Sequence, residues 1–300
     1  MKSITLTAVM AAALLSGCAS HMGPQAYQSD PSHSKAWNFA HAAGMTNLKD
    51  AKSDSAPQHL KASGSNVGNA IVGGTLGAFS QPLGLSAGVT SGLDAVSALL
   101  APTKQTPGMT NGIVMWFPKS QYPKPDDVYS YSKTTLVPII ESALANWDVP
   151  DGYTVDQLKV TETNKWLTWF ESSIHGYRCD EPQFQCYVRL MVPGAPNISN
   201  ALMPDFFGSG PAWKSSILVE IKAVDKSKMR EPWYPTFPGL DLLASISQAL
   251  PSDMFVYASP ANTVAFKNDE GQFEFLRMPI VFKGDTAYYF VRPADAADST

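Results

Sequence analysis

Few residues in this 300-residue chain are typed and spaced for chemistry. His175 lies four residues before Cys179, and Cys186 follows seven later, giving a His, Cys, Cys set with Asp180 and Glu181 beside it. That set has donors for a metal ion but lacks the close Cys-x2-Cys spacing of structural zinc sites, so no metal ligands are assigned. Gly84-Leu85-Ser86-Ala87-Gly88 matches the G-x-S-x-G pattern that exposes a serine nucleophile on a strand-to-helix turn. No β-rich run precedes Gly84, and the only later histidine is His175. Glu162 and Glu171 form a nominal carboxylate pair, but nothing local fixes their separation. The other four histidines, His21, His33, His41 and His59, precede the main folded region. No catalytic residue and no cofactor is therefore assigned, and the chain is read as a non-enzyme.

The front of the chain carries a clearer signal. Lys2 gives a positive start, and Ile4 to Leu15 is an apolar run too short to span a bilayer but of signal-peptide length. It ends in Leu15-Ser16-Gly17-Cys18, which resembles the lipobox of bacterial lipoproteins. The resemblance covers about the first twenty residues. It implies cleavage before Cys18, acylation of that cysteine and attachment to a membrane through the lipid. Ala19 stands where an aspartate would follow the cysteine, which resembles lipoproteins sent to the outer membrane and implies a periplasm-facing domain. With Cys18 lipidated, Cys179 and Cys186 are the two cysteines left in an oxidising compartment, and a disulfide between them is expected.

Removing the seventeen residues before Cys18 leaves 283, enough for one large domain or two smaller ones. Net charge is −4, or −5 without Lys2, and the one basic cluster, Lys226, Lys228 and Arg230, is small. This gives no electrostatic footprint for nucleic acid.

Residues 18–61 are polar and small and read as a tether that, fully flexible, reaches on the order of 35 Å. Within it, Trp37, Ala40, His41, Gly44 and Leu48 recur at helical steps, so Lys35 to Ala51 can form a short amphipathic helix. Three readings stay open for this stretch: docking on this chain's own domain, docking on a partner, or disorder. Residues 62–103 hold eight glycines and one charge, Asp94. Gly84, Gly88 and Gly92 form a four-residue ladder that lets another helix approach closely, and Gln81-Pro82 divides two apolar pieces. The spacing resembles the glycine-zipper hairpins of some envelope lipoproteins. Three uses stay open: a membrane-associated hairpin, helix association between copies of this chain or with a partner, and a flexible linker.

From about Thr110 to residue 292 the pattern is that of an α+β domain with a mainly antiparallel sheet and two helices on one face. Ile113 to Phe117 reads as a strand, followed by a Pro/Asp-rich loop through Asp127. Leu136, Ile140, Ala143, Leu144 and Trp147 mark one helix with Thr135 as its cap, and Leu240 to Leu250 mark the other. Alternation around 186–192 and 217–221 predicts strands, as do 255–258, 264–266, 273–281 and 287–291, the last two joined across Lys283-Gly284-Asp285. Residues 293–300 form a small acidic tail.

Aromatic residues crowd the stretch from Trp147 to Tyr234, either as sheet core or as an exposed groove. The loops carrying Phe206-Phe207 and Trp233-Tyr234 are candidate contact sites, with Trp37 as a third. The pattern implies a lipid-anchored structural or interaction protein of the bacterial envelope, in a setting such as a secretion, conjugation or pilus assembly. The alternatives are a peptidoglycan- or saccharide-binding lipoprotein and an envelope hydrolase.

Overall fold

The computed structural model describes residues 25–51, 65–66, 111–147, 153–225, 239–259, 263–267, 273–277 and 279–293. Cys18, the ladder Gly84, Gly88 and Gly92, Ser86, and Trp233-Tyr234 lie outside them, as does the acidic tail from residue 294.

The described chain is an α+β fold built on one antiparallel sheet. Its strands are β1 (Ser65–Asn66), β2 (Asn111–Pro118), β3 (Thr154–Val155), β4 (Lys159–Thr163), β5 (Leu167–His175), β6 (Phe184–Pro193), β7 (Ser199–Leu202), β8 (Pro211–Asp225), β9 (Met254–Ala258), β12 (Ile280–Lys283) and β13 (Thr286–Tyr289). The order across the sheet is β1-β13-β12-β9-β2-β8-β6-β5-β3, with β4 also on β5 and β7 also on β8. A separate hairpin joins β10 (Thr263–Lys267) to β11 (Phe273–Arg277), so the expected strand 273–281 is two strands in different sheets. The β12–β13 hairpin turns at Gly284, whose φ of +59° lies in the left-handed region open to glycine.

Four helices flank the sheet: α1 (Lys35–Ala42), α2 (Pro125–Tyr131), α3 (Val137–Ala145) and α4 (Gly239–Ala249). The helix expected from Thr135 begins ten residues earlier. Pro125 occupies the first turn, where its missing N–H costs nothing, and the Asp127 carboxylate accepts from the Lys124 N–H at 2.8 Å. A π turn, Ser132–Leu136, joins α2 to α3 just before Pro138, where an ordinary α-turn would press the proline ring onto the carbonyl four residues back. Thr135 is thus inside the helix, and its cap role is corrected.

Two layers cover the central strands. In β2, Ile113, Met115 and Phe117 point to one face and Val114 and Trp116 to the other, and all five are buried. Phe117 meets Tyr122 and Tyr131 on the α2 side, and α4 packs against α3, β9 and β12, so these helices share the first face. The second face is covered by residues from the expected tether. Ala36, Phe39, Ala40, Leu48 and Ala51 belong to the same buried core as the sheet, and Phe39 meets Phe255, Phe206, Phe207 and Tyr288 at 4.7–6.2 Å between ring centroids.

Residues 25–51 therefore pack on the sheet, so the helix docks on this chain's own domain. The helix is also shorter than expected, and its buried stripe runs through Ala36, Phe39 and Ala40 rather than through Trp37. Ser65–Asn66, inside the Gly-rich stretch 62–103, form β1 and pair with β13, so the front of that stretch joins the same sheet as β2.

Candidate functional site

The other half of the second sheet face lies between β4, β5, β6 and the later part of β8. Along β6, Cys186, Val188, Leu190 and Val192 turn inward, while Tyr187, Arg189 and Met191 turn to the half-exposed side. Strand register places Lys159, Glu171, Arg189 and Glu220 opposite one another across four strands, alternating in charge. Arg189 donates from Nε to Glu171 at 2.7 Å and reaches Glu220 with Nη1 at 3.5 Å, and Lys222 lies 3.0 Å from the other Glu220 oxygen. The guanidinium also lies 5.5 Å from the Trp169 ring centroid and 5.0 Å from that of Tyr187. Partial burial disfavours its charge, but the Glu171 and Glu220 carboxylates outweigh that and hold its pKa above the ordinary value.

The adjoining row, Trp169, Met191 and Leu218, is apolar. With its carboxylates paired to one arginine, this face is equipped for stacking and hydrogen bonding, not for proton transfer. Glu162 stands opposite Trp169 and accepts from Asn164, while Glu171 is spent on Arg189, so the nominal Glu162/Glu171 pair is not an acid–base pair.

At the turn into β5, Trp166 is 48% exposed. Its backbone is fixed: the Asn164 side chain accepts from the Trp166 N–H at 2.8 Å, and the Trp166 carbonyl accepts from Gly194 and from the Asn197 side chain, both at 2.7 Å. Gly194 is required for this contact, because a Cβ there would sit 2.3 Å from the Lys165 carbonyl oxygen. An aromatic ring is thus presented from a rigid turn, with Lys165 Nζ 4.9 Å from its centroid.

The opposite end of β5 carries His175. The sulfurs of Cys179 and Cys186 are bonded at 2.08 Å, with Cα atoms 5.4 Å apart, so the expected disulfide is present and neither sulfur is available to a metal. His175 Nε2 lies 3.2 Å from Asp156 and Nδ1 3.4 Å from Asp180. The Asp156 hydrogen bond outweighs the opposing desolvation and, with the charges of Asp156 and Asp180, raises the His175 pKa above 6.5. Its ion pairs therefore stabilise the fold below the unfolded-state value and lose that effect as pH rises through the raised one. In Asp156→Asn the His175 titration midpoint, followed by NMR, should fall back toward 6.5. An unchanged midpoint would remove Asp156 as the cause.

Phe206, Phe207 and Trp37, the candidate contact residues, rest against this chain's own core. Phe206-Phe207 cap the β7–β8 hairpin, where they pack on Phe39 and Trp116. Trp37 stacks between His33 and His41 at 3.8 and 3.5 Å. All three are partly buried against this chain's own core. The loop carrying Phe206-Phe207 follows β7, which pairs with the first part of β8. The Glu–Arg–Glu ladder escaped sequence reading because cross-strand register leaves no mark in local spacing.

No family model, curated protein or solved structure matches this chain.

Proposed function

We propose that this chain is a lipid-anchored interaction protein of the bacterial envelope, held in the outer membrane by acyl chains on Cys18 and presenting its domain to the periplasm. The observation that carries the reading is the disulfide. A bonded Cys179–Cys186 pair accords with an oxidising compartment and accounts for two of the chain's three cysteines, the third being Cys18 at the end of the lipobox-like run. Among the described residues no helix is long and apolar enough to cross a membrane. The half-exposed Trp169–Arg189–Tyr187 face is the surface offered to other envelope proteins, with the Gly-rich segment as a second association element.

In a Gram-negative host, an acyl-donor label should mark the protein, and Cys18→Ser should lose it. A photo-cross-linker at Trp169 should give a discrete protein adduct that Arg189→Glu abolishes. An unlabelled wild-type band would end the anchoring reading, and absence of any adduct would end the use of this face. A saccharide-binding reading is favoured only by Trp166, exposed and held rigid. Retention on purified peptidoglycan that is lost in Trp166→Ala would select it instead.

A further inference from the structure

We infer that the domain is held upright against the bilayer, with the β7–β8 loop facing the lipid surface and the disulfide-closed turn pointing away; this rests on the anchoring at Cys18 proposed above. Two observations carry it. The first is where the chain first joins the fold. Tyr27 accepts from the Asp205 N–H at 3.1 Å, and the Ser29 N–H and hydroxyl donate to the two Asp205 carboxylate oxygens at 2.8 and 2.7 Å. Asn38, buried in α1, accepts from the Tyr27 hydroxyl and the Asp30 N–H and donates to the Asp30 and Ser34 carbonyls, so all its donors and acceptors are used. The entering chain is thus fixed to residues 203–210. Seven residue steps separate Cys18 from Gln25, and even fully extended they span no more than about 25 Å.

The second observation is the direction of β8. Its first residue, Pro211, leaves the 203–210 loop, and its last, Asp225, pairs with Phe184 beside the disulfide. Fourteen steps of extended chain separate them, on the order of 45 Å. A leash of at most about 25 Å attached at one end of a body that long cannot bring the other end to the membrane without laying the molecule flat. The lipid surface is therefore the neighbour of the Asp205–Gly210 tip, whose Gly208 and Gly210 have open space around them. His175 and the Cys179–Cys186 turn stand at the far end, toward the periplasm.

The test uses full-length acylated protein in liposomes. Ser209 and Ser173 are both exposed, one near each end, and a fluorophore is placed at Ser209→Cys or at Ser173→Cys. A headgroup-linked acceptor should quench the Ser209 label several-fold more than the Ser173 label. Inserting about forty Gly/Ser residues after Ala19, with a root-mean-square reach near 35 Å, should abolish the difference. Equal quenching, or stronger quenching at Ser173, in protein that still floats with the liposomes would overturn the orientation while leaving anchoring intact. Loss of flotation would overturn anchoring itself, and the orientation with it.

Discussion

Replacing Phe39 with Ala is expected to lower unfolding free energy by about 3–5 kcal/mol, the range for truncating a buried aromatic ring. Phe39 is 7% exposed, and its ring meets Phe206 and Phe207 from the β7–β8 loop, Phe255 from β9 and Tyr288 from β13. Three parts of the chain distant in sequence close on one side chain, so its loss leaves a cavity that no single neighbour can fill. Trp37, one turn face away, stacks between two imidazoles at the surface, and Trp37→Ala should cost only about 1 kcal/mol. Urea unfolding of both variants checks the order. A Phe39→Ala midpoint equal to that of the wild type would show that residues 25–51 do not cover the sheet.

The second large effect lies at the other end of the molecule. Replacing Cys179 and Cys186 by Ser is expected to cost about 2 kcal/mol, because the closed loop is short and the entropy it removes from the unfolded chain is modest. Hydrogen exchange should quicken in the turn between β5 and β6, where the Cys179 N–H donates to the Gly176 carbonyl. Since this turn and Phe39 share no partner among the described residues, the two losses should add to within about 0.5 kcal/mol. An oxidised wild type no more stable than its reduced form would contradict the assignment of a structural disulfide.

Some of this fold was legible in the sequence, for reasons that individual residues show. In β6 the inward Cys186, Val188, Leu190 and Val192 are all apolar, so alternation was plain. In β5 the inward face is Thr168, Phe170, Ser172 and Ile174, and two small polar residues hide the period. Thr168 is inside because its hydroxyl bonds those of Tyr129 and Thr163, both at 2.8 Å, contacts that come only with the assembled fold. The spacing from Leu136 to Trp147 points to a helix starting near Thr135, whereas a π turn at Ser132–Leu136 lets a helix begun at Pro125 run through Pro138. The docking of α1 cannot be read from its sequence, since its buried stripe is mostly alanine and Trp37 is the larger residue. Leu48, counted as helical, is reached after the helix has ended at Ala42, and the His41 ring lies 3.2 Å from the Leu48 carbonyl oxygen. The charged row on the second sheet face was the least legible part, because Lys159, Glu171, Arg189 and Glu220 meet only through strand register.

The central claim is attachment through Cys18, since compartment, oxidised thiols and membrane-proximal orientation all follow from it. Intact-mass and peptide mass spectrometry of protein expressed in a Gram-negative host tests it most directly. The account predicts a mature chain beginning at Cys18 with a mass increment of glyceride-linked and amide-linked acyl chains on that residue. A chain that keeps residues 1–17, or one that begins at an unmodified Cys18, would contradict it.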